Sequence, residues 1–244
     1  MNGLSKMRAY SLFVLALCTF SSPAQRINQF ATPLPVPPGS TLVIGFLGGY
    51  DRWDDSHRSV RQLVVKLRQT PGVYAESISN HHRALALQLI CHALDTDRSG
   101  KLDRDERANA RLILFGQSWG GAAVISTARD LQKLGIPVLL TAQIDSIGVH
   151  DDVIPSNTRA AVNFFQHDPF TTIRGRARIR AADPSHTAIL GNFESSYSFR
   201  SVDQSKASRA RQIFGGSHTK MEQDPVVWNR VEHYISDAIA RRLP

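Results

Sequence analysis

Two patterns of apolar residues alternate along this chain. Thr41 to Leu47 is a continuous apolar run ending in Gly48-Gly49, whereas Val60, Leu63, Val64 and Leu67 recur at helical spacing. The first pattern predicts a buried strand, and the second a helix over about 56–69, broken by Pro71-Gly72. A second strand is expected over 73–78, and Leu85, Leu89, Ile90 and Leu94 mark a helix over 82–94. After a charged loop come a strand at 112–115 and a helix through Leu134 closed by Gly135. Further buried strands are expected over 137–144 and 160–165. Beyond residue 170 the pattern weakens. Arg174, Arg176, Arg178 and Arg180 alternate with small or apolar residues, which predicts an edge strand with one basic face, and a short strand is expected over 211–214. Asp224-Pro225 sits at the favoured N-cap and N1 positions of a last helix, whose buried stripe is Val227, Val231, Ile235 and Ala238.

The strands are apolar throughout rather than in alternation, which implies a mostly parallel sheet covered by helices on both faces. The expectation is a single α/β domain over 41–244, doubly wound, with no internal repeat. Residues 25–40 hold Pro33, Pro35, Pro37 and Pro38 and are expected to be an extended lead-in.

Residues 1–24 carry the marks of a secretory leader. Lys6 and Arg8 precede the apolar stretch 9–20, and Ser22-Pro23-Ala24 offers a small-x-small cleavage pattern. The stretch is too short to span a bilayer as a stable helix, and Leu17 before Cys18 is too bulky for a lipoprotein signal. Export is therefore expected, with no stable membrane insertion after cleavage. Without Cys18 the chain holds Cys91 alone, so it has no intrachain disulfide, and Cys91 is expected to be a small core residue. Of the +8 formal charge, only Lys6 and Arg8 leave with the leader. That balance attracts anionic surfaces without specifying nucleic acid; with no basic block interleaved with aromatics, no nucleic-acid partner is expected.

The chemistry concentrates in Gly116-Gln117-Ser118-Trp119-Gly120, placed between an apolar strand and a helix-forming stretch. This is G-x-S-x-G in the strand-turn-helix setting of a nucleophile elbow, whose serine sits in strained backbone and whose flanks tolerate only glycine. On that motif and the element order, the chain resembles the α/β-hydrolase superfamily. The resemblance implies a serine hydrolase acting on a carboxylic ester or thioester, with nucleophile, acid and histidine in that chain order. Ser118 would be the nucleophile. Of nine histidines, His218 is expected as the base, in a flexible Gly215-Gly216-Ser217-His218 loop ahead of the last helix. His81 and His82, at a strand end, could line the cleft.

Two acids compete. Asp145 ends the strand after the elbow helix, and Asp168 ends the next one. Both placements occur in the superfamily; Asp145 is preferred because its apolar lead-in delivers it at the sheet edge. Asp151 and Asp152 are expected in a solvated loop. The oxyanion hole would take one N–H from Trp119 and another from Gly49 or Tyr50 after the first strand. The His-Gly lead-in of many family members is replaced here by Phe46-Leu47.

Residues 95–106 read Asp-Thr-Asp-Arg-Ser-Gly-Lys-Leu-Asp-Arg-Asp-Glu and resemble an EF-hand loop. Asp95, Asp97, Ser99, the Lys101 carbonyl, Asp103 and Glu106 would ligate calcium, with Gly100 at the sharp turn. The loop lies at the far end of the strand from Ser118, roughly 15 Å away at about 3.3 Å per residue, so calcium would brace the fold without touching substrate. No organic cofactor is implied. The expected partner is a small-molecule acyl ester. The alternatives are a calcium-stabilised scaffold that has lost activity, and a peptidase or amidase.

Overall fold

The computed structural model describes residues 25–168 and 173–243; the leader expected over 1–24 lies outside the described residues. Six strands form one sheet, in the order β2-β1-β3-β4-β6-β8, all parallel. They are β1 (Thr41–Leu47), β2 (Val73–Ser79), β3 (Leu112–Gln117), β4 (Val138–Ile144), β6 (Thr158–Gln166) and β8 (Ala188–Ser195). A separate two-residue ladder joins β5 (Val153–Ile154) to β7 (Arg180–Ala181). Helices α1 (Ser59–Leu67), α2 (Arg83–Leu94), α3 (Arg104–Ala108), α4 (Trp119–Lys133), α5 (Arg209–Phe214), α6 (Gly216–Gln223) and α7 (Pro225–Ile239) complete the fold.

The doubly wound arrangement follows from the strand pattern. Along β1, Leu42, Ile44 and Phe46 face one core with Leu89, Ile90, Val124 and Leu131 of α2 and α4. Val43 and Leu47 face a second core with Leu63 and Val64 of α1 and Val231 and Ile235 of α7. A strand apolar on both faces is stable only when both are covered, and here both are. Among the described residues, no helix is long and apolar enough to cross a membrane.

The lead-in is fastened to the sheet edge. The buried Glu76 carboxylate on β2 accepts the Ala31 and Thr32 N–H groups at 2.7 and 2.9 Å, and Arg68 at 2.5 Å. Asp224 caps α7 by accepting the Val226 N–H at 3.0 Å, with Tyr197 donating to the same carboxylate at 2.8 Å. Burial and that neighbouring carboxylate push the Tyr197 phenol far above its ordinary pKa.

The second half departs from expectation. The sheet edge opposite β2 is β8, which is only half-buried, and the arginine stripe is not a strand over most of its length. Arg176 donates instead to Asp151 at 2.8 Å, and Arg180 lies 3.7 Å from Asp152. Asp151 is buried rather than solvated, also accepting the Ser146 hydroxyl at 2.5 Å. The strand expected over 211–214 is helix α5, capped by the Ser208 hydroxyl. Cys91 is free and half-buried, outside the two cores.

Candidate active site

In the strand order, β1 is flanked by β2 on one side and β3 on the other, so the loops leaving β1 and β3 run apart. Such switch points open a crevice at the carboxyl ends of parallel strands. Gly48-Gly49-Tyr50 leaves β1 there, and Ser118 leaves β3.

Ser118 has φ 59° and ψ −127°, a conformation that L-residues rarely adopt. Its N–H extends the ladder to the Ile144 carbonyl at 2.9 Å. The flanks explain the glycines: a Cβ on Gly116 would lie 2.4 Å from the Gly120 carbonyl oxygen, and one on Gly120 would lie 2.1 Å from that of Phe46. Trp119 then opens α4, so the start of a fifteen-residue helix, with its unpaired N–H groups and positive dipole end, adjoins the serine. The Gly48 loop packs against the same turn, because a Cβ on Gly48 would meet the Ser118 Cβ at 2.9 Å. A strand, an elbow and a helix at the carboxyl edge of a parallel sheet are the architecture of the α/β-hydrolase fold. That is the fold of this chain.

His218 is on helix α6 rather than in a flexible loop, and Gly215 and Gly216 form the junction between α5 and α6. Its Nδ1 lies 2.6 Å from Asp145 Oδ2. Asp145 follows β4, is fully buried, and takes a positive φ of 45°. Its carboxylate also accepts the Gly175 N–H at 2.8 Å and the Gln166 side-chain amide at 3.1 Å. With the carboxylate at Nδ1, that nitrogen carries the proton and Nε2 presents a lone pair. The Gln117 side chain donates to Nε2 at 3.1 Å, while among the described residues the Ser118 hydroxyl has no hydrogen-bond partner. Asp168 does not touch the imidazole; it accepts the hydroxyl of Ser217, the residue before His218.

A buried ion network ties the β1 loop to the histidine helix. Arg58 donates to both Glu222 oxygens at 2.9 and 3.0 Å, and Arg211 bridges Glu222 at 3.1 Å and Asp51 at 2.7 Å. Glu222 is one helical turn beyond His218, and Asp51 is two residues beyond Gly49. Neither this network nor the contacts of Gln166 and Gln117 left a mark in the sequence, since the partners lie far apart in the chain or carry no motif.

The acidic loop lies at the opposite edge of the sheet. Asp95, Asp97 and Glu106 bring carboxylate oxygens within 4.8 Å of one another. Asp95 accepts the Ser99 and Gly100 N–H groups at 3.0 and 2.9 Å, and the Ser99 hydroxyl meets the Lys101 carbonyl at 2.9 Å. Asp103 caps α3 by accepting the Glu106 N–H at 2.8 Å. Backbone and hydroxyl donors hold Asp97 and Glu106 below the usual carboxylate range.

The sequence matches no protein-family model and no curated protein. Solved structures are similar in outline. A dienelactone hydrolase from Anabaena variabilis is 13% identical with a TM-score of 0.42, covering 86% of this chain and 90% of its own. The RedJ thioesterase of Streptomyces coelicolor is 11% identical with a TM-score of 0.42, covering 91% and 98%. Est1E from Butyrivibrio proteoclasticus is 12% identical with a TM-score of 0.41, covering 85% and 92%.

Proposed function

We propose that the protein is an exported serine hydrolase that cleaves a carboxylic ester or thioester through Ser118, His218 and Asp145. The observation that carries this reading is the Asp145–His218 contact at 2.6 Å beside a serine in strained elbow backbone. The Asp145 carboxylate orients the imidazole and stabilises its cationic form, and Nε2 accepts the Ser118 proton as the hydroxyl oxygen attacks the carbonyl. His218 returns that proton to the leaving group, and water hydrolyses the acyl-enzyme by the same route. The Trp119 N–H and that of Gly49 or Tyr50 stabilise the oxyanion. For Ser118 to reach Nε2, the Gln117 amide must first turn away.

That amide favours one second reading, a hydrolase fold turned scaffold. Labelling by a fluorophosphonate probe separates the two: the wild type labels and Ser118→Ala does not. A wild type that stays unlabelled while properly folded establishes the scaffold instead.

The loop 95–106 is proposed to bind calcium. The residues suit that ion, since Asp95, Asp97 and Glu106 converge and, among the described residues, no cationic side chain pairs with them. Ser99, the Lys101 carbonyl and Asp103 would complete an all-oxygen shell. Calorimetry should show calcium binding that Glu106→Gln removes; binding unaffected by that change would exclude this loop.

A further inference from the structure

Beside the serine stand three aromatic rings contributed by three different elements. Tyr50, in the loop after β1, is 84% exposed, and Trp119, the residue after the serine, is 41% exposed. His81 belongs to the 3-10 turn Asn80–His82 that follows β2. The Tyr50 ring stacks on His81 at 5.0 Å with planes 25° apart. Trp119 stands nearly perpendicular to both, at 78° and 5.6 Å from Tyr50 and at 77° and 6.1 Å from His81. Together they make a right-angled aromatic corner.

The corner is held from below. His81 Nε2 lies 3.0 Å from the Gly49 carbonyl oxygen, and Asn80 donates to the Gly49 and Leu47 carbonyls at 2.6 and 2.9 Å. These contacts tie the loop after β1 to the turn after β2, so the fold itself brings the Tyr50 and His81 rings together. None of the three rings belongs to either core. Packing of the fold therefore does not account for this apolar surface beside the nucleophile. The cavities of about 500 to 670 Å³ found elsewhere on the surface are lined by neither Ser118 nor His218, so they supply no alternative substrate pocket.

Topology says which part of a substrate would meet the corner. His218 and Asp145 lie on the β4 side of Ser118, whereas Tyr50 and His81 come from the ends of β1 and β2 and the Trp119 ring stands against them. The imidazole must face the leaving group to protonate it, which directs that group toward β4. The acyl substituent is left on the side of the rings. A planar group can stack on one wall and meet the other edge-on, the two arrangements aromatic pairs prefer. A flexible alkyl chain would gain neither and would lose rotamer freedom on binding.

We infer that Tyr50, His81 and Trp119 form the acyl-binding wall and select esters whose acyl group carries an aromatic ring over those with a plain alkyl chain. This rests on reading Ser118 as the nucleophile, and its test is arranged to be independent of turnover. Methyl 3-phenylpropanoate and methyl octanoate are titrated calorimetrically into Ser118→Ala, which binds without cleaving. The aryl ester should bind about tenfold tighter. Adding Tyr50→Leu or His81→Leu should each reduce that ratio below about threefold, with melting temperature checked to show that the fold persists. Equal affinities, no detectable binding of either ester, or a preference that survives both substitutions overturns the inference. A wild type that resists the fluorophosphonate while Ser118→Ala keeps its aryl preference defeats the hydrolase reading and leaves the aromatic wall standing.

Discussion

At its carboxyl end β3 passes into Ser118, held at positive φ with Gly116 and Gly120 so close to neighbouring carbonyls that no side chain fits. At its amino end the preceding loop gathers Asp95, Asp97 and Glu106 near the surface, with Asp97 exposed, and satisfies them with backbone N–H groups. One end is organised by steric exclusion in a packed interior, where a misplaced methyl group is felt. The other is organised by charge, which solvent and salt moderate. The comparison teaches that one strand can join a turn fixed by close packing to a loop arranged around charge.

The comparison can be broken most severely at the acid. Asp145→Asn should lower kcat by about 10⁴, the scale seen when a triad aspartate becomes an amide, and Asp168→Asn by less than about tenfold; steady-state kinetics on one ester would show a reversed ranking at once. Next comes steric exclusion: Gly120→Ala should destabilise by about 3 kcal/mol, read by urea unfolding, because its Cβ meets backbone that cannot rotate away. At the ionic end, chelation should lower the melting temperature by about 5 to 10 °C if calcium had been near a hundredfold its Kd. Fluorophosphonate labelling at 25 °C should be unchanged by the same treatment. A chelator that silences Ser118 without altering the melt would contradict the separation of the two ends. Gln117→Ala has the smallest expected effect, a rise in kcat of about fivefold from removing one neutral hydrogen bond at Nε2; a fall would mean that the amide assists the reaction.

Legibility in the sequence followed burial. Strands β1, β3, β4 and β6 are buried along nearly their whole length, so each is mostly apolar, and a single sequence displays such a run despite Gln143 in β4 and Asn163 in β6. The edge strand β8, with Gly191, Asn192 and Glu194 among its residues, has no such run. The Arg174–Arg180 alternation imitated a strand, but two of its arginines answer to Asp151 and Asp152 more than twenty residues upstream. The elbow was legible because its chemistry requires contiguous residues. The acid was legible only as a choice between strand ends, since the contact that separates Asp145 from Asp168 joins residues 73 positions apart. Helix α6 hid behind Gly215-Gly216, where two glycines suggested a loop and instead mark a helix junction.

The order of these parts along the chain has a consequence for synthesis. Ser118 and Asp145 are made well before His218, which sits on α6, and the face of the sheet beneath α7 stays uncovered until that last helix is complete. A chain growing from its amino terminus can fold the elbow long before His218 has been made. On the proposed mechanism the serine would stay chemically silent through most of translation, and a product lacking its final helices would carry the motif without reactivity.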